Sequence, residues 1–200
     1  MIEGYIGRPG SGKSYALTER VLREARRGNR CFTNWDVVGE NVWRFREDQL
    51  LDLPPGKIFL DEAHLWFPAR QALHLPPSWL AMLSQTRKSG WDLFWCAQHE
   101  TRVDRALRDV TSWMHLCSSW FSMNGHPLLF RTETWEPEDF RRAGKRQFSR
   151  WRTFDPEVAA AYDTFERLSI ATHTEKKGDV YADKSKTFQS TYRSKVGAQA

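Results

Sequence analysis

One stretch, Gly7-Arg8-Pro9-Gly10-Ser11-Gly12-Lys13-Ser14, narrows the choice of fold more than any other part of the chain. It fits G-x-x-x-x-G-K-[ST], the loop that cradles phosphates in nucleoside triphosphatases. Its flanks agree with that reading. Ile2 to Ile6 mixes β-branched and aromatic residues, as a short buried strand does. Tyr15 to Arg27 carries Ala16, Leu17, Val21, Leu22 and Ala25 at helical spacing. The chain therefore opens as strand, glycine-rich loop and helix. Gly7, Gly10 and Gly12 let the backbone turn its N–H groups inward. Those groups and the positive end of the helix suit phosphate oxygens. Residues Gly7 to Ser14, with Tyr15, are the expected nucleotide contacts. Lys13 reaches the β- and γ-phosphates, and the Ser14 hydroxyl ligates Mg²⁺.

A second motif follows. Lys57-Ile58-Phe59-Leu60 is apolar after its lysine and runs into Asp61-Glu62-Ala63-His64. A buried parallel strand ending in two acids places them at the edge where such sheets bind ligands. Adjacent carboxylates there are costly without a cation. Asp61 fits the Mg²⁺-holding acid, and Glu62 fits the base that polarises the attacking water. His64 is open to two readings, a nucleotide sensor or a packed histidine. Trp91 to Ala97 is a further apolar strand ending in Gln98-His99. In ATPases with an extra strand between the loop strand and the acidic strand, a polar residue at that place meets the γ-phosphate, which makes Gln98 the candidate sensor.

The rest of the chain supplies the frame. Cys31 to Trp35 reads as a strand, Val42 to Leu51 as a helix stopped by Pro54-Pro55-Gly56, and Ser78 to Ser89 as a helix ended by Gly90. Val103 to Arg108 reads as a short exposed helix. Ser112 to Ser122 and Leu128 to Trp135 read as two strands joined at Asn124-Gly125, a hairpin signal. His115 within the first of them is expected to pack, not to ligate. Glu136 to Phe140 opens a helical turn, and Pro156 to Leu168 reads as the last helix. Arg141, Arg142, Lys145, Arg146, Arg150 and Arg152 interleave with Phe148 and Trp151. That cluster suits either a DNA phosphate surface or a solvated face with subunit contacts. From Thr172 on, the composition turns polar and lysine-rich. A domain over 1–168 and a flexible basic tail over 169–200 are expected.

Composition adds limits. Net charge is +5, compatible with nucleic acid. Three widely spaced cysteines argue for a reducing compartment and against a zinc site. No window approaches the roughly 20 apolar residues of a membrane span. Met1 leads straight into the first strand, so a protein that is soluble, or reaches membranes only through partners, is expected.

Several segments together resemble the N-terminal ATPase domain of zonula occludens toxin-like phage proteins. They are Met1-Ile2 opening into Gly7–Ser14, Phe59 to His64, Pro77-Ser78-Trp79-Leu80 through Gln85-Thr86-Arg87-Lys88-Ser89-Gly90-Trp91-Asp92 to Gln98-His99, and Val103-Asp104 with Leu107-Arg108. That family is grouped with the FtsK–HerA DNA-pumping ATPases. The resemblance implies a RecA-like α/β core with a mostly parallel sheet, extended by the antiparallel hairpin. It implies ATP and Mg²⁺ as cofactors, a homo-oligomeric ring such as a hexamer, and ATP-driven movement of viral DNA. Capsid or membrane proteins of the virion would be the other partners. The expected place is the host cytoplasm, a capsid vertex or the virion.

In such rings an arginine completes a neighbour's site; Arg87 is the candidate, with Arg70, Arg102 and Arg105 as rivals. Filamentous-phage members continue into a membrane span and an outer domain, and neither is expected here. A packaging motor is therefore expected before an export ATPase acting at the inner membrane. A small-molecule kinase shares the loop and the size, but the Asp61-Glu62 pair favours hydrolysis.

Overall fold

The computed structural model describes residues 1–69, 75–86, 88–123 and 126–163. Eight strands form one sheet: β1 (Ile2–Ile6), β2 (Cys31–Thr33), β3 (Val42–Arg44), β4 (Gly56–Leu60), β5 (Trp91–Ala97), β6 (Trp113–Met123), β7 (His126–Trp135) and β8 (Phe148–Thr153). Their order is β3-β2-β4-β5-β1-β6-β7-β8. The first six in that order run parallel, and β7 and β8 add antiparallel at the far end. This is the RecA-like P-loop architecture expected, with β5 inserted between the loop strand β1 and the acidic strand β4.

Helices on both faces explain why the central strands are apolar throughout. Helix α1 (Lys13–Arg26) lies on one face, where Leu17 and Val21 meet Tyr5, Phe59, Phe94 and Cys96. Its five expected core residues, Ala16, Leu17, Val21, Leu22 and Ala25, are all buried. On the other face Ile58, Leu60, Leu93 and Trp95 meet Trp79, Met82 and Leu83 of α2 (Pro77–Gln85) and Leu107 of α3 (Arg105–Asp109). The expected exposed helix at Val103–Arg108 is thus anchored, since Val103 and Leu107 are fully buried. Short helices α4 (Pro137–Arg141) and α5 (Pro156–Ala160) bracket β8.

Three local expectations are corrected. Val42 to Leu51 is not one helix. Val42–Arg44 pairs parallel with β2 as an edge strand, and Glu47–Asp52 forms a 3-10 turn. Val42 and Trp43 prefer a pleated, half-buried surface, and that preference wins over the weak helical period. The last helix ends at Ala160, and Tyr162 makes an isolated bridge to Val37. Phe148–Thr153 is a third antiparallel strand, hidden in the sequence because its arginines mask the apolar alternation. The hairpin dipeptide Asn124-Gly125, Arg70, Arg87 and the 169–200 segment lie outside the described residues.

One glycine is required by packing alone. Gly4 stands opposite Trp95 in the β1–β5 register, and a Cβ there would lie 2.4 Å from the indole. Trp95 cannot yield easily, because it is fully buried and its Nε1 donates to Thr111 Oγ1 at 3.1 Å. Gly4→Ala is therefore expected to destabilise the fold by about 1–3 kcal/mol through overpacking, read as a lower denaturant midpoint.

Candidate nucleotide site

The parallel register brings three strand ends to one edge. Ile6 pairs with Ala97, and Leu60 pairs with Trp95. The residues that follow are Gly7, Gln98 and Asp61, so the loop, the candidate sensor and the acids share that edge.

The loop has the backbone that its glycines permit. Gly7, Gly10 and Gly12 have φ of 154°, 74° and 82°. A Cβ on Gly7 would lie 2.5 Å from the Cys117 carbonyl oxygen, and one on Gly12 would lie 2.5 Å from the Phe130 ring. Gly10 faces open space. The loop is tied to itself and to β6. Ser11 N donates to Arg8 O at 3.1 Å, and Ser119 Oγ donates to Gly10 O at 3.0 Å. Lys13 is buried, and its Nζ donates to Arg8 O at 3.1 Å. Helix α1 starts on Gly12 with no side-chain cap and no acid in its first turn. Its first N–H groups therefore point at the loop with nothing from a side chain to satisfy them. Ser11 Oγ is buried without a partner among the described residues. An uncapped helix start, a lysine and an orphaned buried hydroxyl fit a bound polyphosphate.

The acidic strand end is held by an interaction that the sequence did not announce. Asn34, just past β2, accepts from Asp61 N at 2.7 Å and donates through Nδ2 to Asp61 O at 2.9 Å. The amide thus clamps the Asp61 peptide from both sides. The buried Cys96 thiol donates to Asp61 Oδ1, which also accepts from Glu62 N at 3.0 Å. Oδ2 is the Asp61 oxygen to which no bond is assigned among the described residues. Glu62 adopts the left-handed region, with φ of 47°, uncommon for a residue with a side chain. Its carboxylate lies 3.1 Å from His64 Nδ1. Burial and the neighbouring Asp61 push the Glu62 pKa up, while His64, Lys13 and Arg102 draw it back. Lys13 stands on the far side of the inserted strand from Glu62 and is one of the cations that draw the Glu62 value back. A raised carboxylate pKa suits a group that takes a proton.

The other candidates separate. Arg102 acts on Glu62 within the same chain. Arg105 pairs with Asp109 at 3.1 Å. The Tyr15 ring stacks on Phe130 at 4.3 Å, and its hydroxyl accepts from Asp155 N at 2.7 Å. The Tyr15 side chain is thus spent on the antiparallel strands. His115 packs as expected: it lies buried between Glu3 Oε2 at 3.0 Å and Thr134 Oγ1 at 2.9 Å. Four members of the basic cluster lie beside acids. Arg141 lies near Glu100 and Asp109, Arg146 pairs with Glu133, and Arg150 and Arg152 meet Glu19. Asn34, Cys96 and Ser119 went unpredicted. Only the place of Asn34, just past a strand end, was a usable signal.

The family model of zonular occludens toxin (Zot) matches residues 41–121, which include Asp61 to His64 and Gln98. The fold is similar to the N-terminal domain of zonular occludens toxin from Neisseria meningitidis. That likeness has a TM-score of 0.56 and 20% identity, and it covers 81% of this chain and 98% of that one. It is also similar to the genome packaging NTPase B204 from Sulfolobus turreted icosahedral virus 2 in complex with ATP-gammaS. Here the TM-score is 0.53 at 11% identity, over 76% of this chain and 96% of that one. The DNA-packaging ATPase B204 from Sulfolobus Turreted Icosahedral Virus gives 0.51 at 13%, over 76% and 96%. No curated protein matches. The resemblance to Zot carried by the sequence is borne out, and so is the fold.

Two outcomes are expected. Asn34→Ala strands the part-buried N–H and C=O of Asp61 and lowers unfolding free energy by about 1 kcal/mol in denaturant titration. For Glu62, a pKa raised on folding means that the folded state holds the proton more tightly. The associated stability is present below about pH 4.5 and is lost as pH rises through the folded value. Glu62→Gln should therefore raise the melting temperature at pH 7 to 8, with the gain shrinking toward pH 4 in calorimetry.

Proposed function

We propose that this chain is a Mg²⁺-dependent ATPase that moves viral DNA, as the genome-packaging motor of a phage or virus. One observation carries the reading: an uncapped glycine loop with a buried Lys13 shares a sheet edge with Asp61-Glu62, one strand apart. The likeness to packaging NTPases solved with ATP analogues supports it.

The roles follow from position. Backbone N–H groups from Gly7 to Ser14 and the Lys13 ammonium bind and orient the phosphates. Ser14 and Asp61 would hold Mg²⁺, which supplies charge neutralisation at the phosphate oxygens when bound. Glu62 accepts the proton of the attacking water. Gln98, at the end of the strand between loop and acids, senses the γ-phosphate. Arg87 completes the site of a neighbour in a homo-oligomeric ring, and Arg102 is its rival. The 1–168 domain carries a basic tail over 169–200. No helix among the described residues is long and apolar enough to cross a membrane. The motor works in the host cytoplasm or at a capsid vertex, with capsid proteins as partners.

A second reading is an export ATPase of the filamentous-phage type that acts through membrane partners. The match to the Zot family model favours it.

The test is phosphate release measured with single- and double-stranded DNA, alongside the mass of the assembly. Stimulation by DNA and an oligomer are expected. Lys13→Ala should abolish turnover and weaken nucleotide binding. Glu62→Gln should keep binding but lose roughly 10²–10⁴ of the rate. A strict monomer indifferent to DNA would overturn the motor.

A further inference from the structure

The antiparallel end of the sheet has two unlike faces. Alternation along β7 and β8 turns Phe130 and Arg152 toward α1, where they meet Tyr15 and Glu19. The same alternation sets Arg131 opposite Trp151 on the other face, and the β6–β7 register sets Trp120 opposite Leu129 there. Both indoles are half exposed, at 48% for Trp120 and 50% for Trp151. Their centroids are 6.2 Å apart, with the rings tilted by 53°. The Arg131 guanidinium lies 5.2 Å from the Trp151 centroid. It is held there by Ser149 Oγ at 3.0 Å and by Glu133 at 2.6 Å. Arg146 shares the Glu133 carboxylate. Two guanidinium groups against one carboxylate leave a positive charge beside the rings. Trp120 Nε1 donates to Ser118 Oγ at 3.4 Å, which fixes the ring angle.

We propose that this face takes a single strand of nucleic acid, with unstacked bases on Trp120 and Trp151 and phosphates at Arg131 and Arg146. The inference rests on the motor reading and names the strand type and place for it. Exposed indoles with an arginine over one of them form a stacking platform, and every base offers a π-face. A duplex keeps those faces inside its own stack and cannot offer them. A second copy of the chain is a poorer occupant, because it carries the same net charge of +5 and would bring cations against cations.

The face is also wired to the phosphate loop. Ser119, the residue before Trp120, donates to Gly10 O at 3.0 Å, and Phe130, the residue before Arg131, underlies Gly12. Strands β6 and β7 therefore show the bases one residue and the loop the next.

The experiment uses the full chain and a labelled oligothymidylate of about 20 nucleotides, with a duplex of equal length. Fluorescence anisotropy and tryptophan emission are recorded at several salt concentrations, with and without ATP-gammaS. The expected result is tighter binding of the single strand, with quenched emission. Trp120→Ala and Trp151→Ala should each weaken it about tenfold, while Trp151→Tyr keeps most of the affinity. Phe148→Ala, on the opposite face of β8, should leave affinity unchanged. Duplex preference, or equal affinity in the tryptophan variants, overturns the proposal. So does a change in assembly mass without a change in strand affinity, since the face would then join two copies. Basal ATP turnover measured on the same wild-type preparation tests the motor reading separately. Turnover with strand binding indifferent to the tryptophans sinks this inference alone; binding through the tryptophans without turnover sinks the motor alone.

Discussion

The insertion of β5 between β1 and β4 is the constraint on which the rest depends. Neighbouring strands lie about 4.8 Å apart, so the loop strand and the acidic strand stand roughly 10 Å from one another. That gap leaves room for phosphates and a cation between Lys13 and the carboxylates, where direct neighbours would press the charges together. The hydrogen-bonded register, Ile6 to Ala97 and Leu60 to Trp95, fixes the heights of the three strand ends. Side chains such as Trp95 and Phe94, fully buried on opposite faces of β5, lock that middle strand in place.

Polar groups are held inside this core at a cost that local partners offset. Burial raises the Glu3 carboxyl, but the His115 and Arg20 charges and the His115 hydrogen bond outweigh it, and the pKa is lowered overall. Asp61 is treated differently. Its peptide is clamped by Asn34, and one oxygen takes a thiol and an amide N–H. The acid is oriented, and no cationic side chain among the described residues forms an ion pair with it. Glu62, next along, keeps a left-handed backbone beside His64. Strain and raised proton affinity on one residue, Glu62, are the expected signs of a site arranged for chemistry at the expense of stability.

Much of this was legible beforehand because it obeys local rules. Glycine spacing marked the loop, a helical period marked α1, and an apolar run ending in acids marked β4. The relation between β1, β4 and β5 was anticipated through Gln98 and the family resemblance. What escaped detection depends on contacts distant in sequence. Asn34 matters only because β2 lies next to β4. Strand β8 hides behind Arg150 and Arg152, whose charge is spent on Glu19 of α1, 133 residues away in the chain from Arg152. Val42 to Leu51 was misread because a three-residue edge strand leaves too short a pattern to outweigh a helical period.

The contacts of Gly7 with Cys117 and of Gly12 with Phe130 reach beyond the loop itself. They make the antiparallel strands the floor on which the phosphate grip rests, not an ornament on a finished core. A fragment cut back to the parallel strands would retain every motif residue yet lose the Phe130 support beneath Gly12. Chimaeras between related chains should accordingly keep the loop and the last three strands from the same parent, because the two have been shaped as one part.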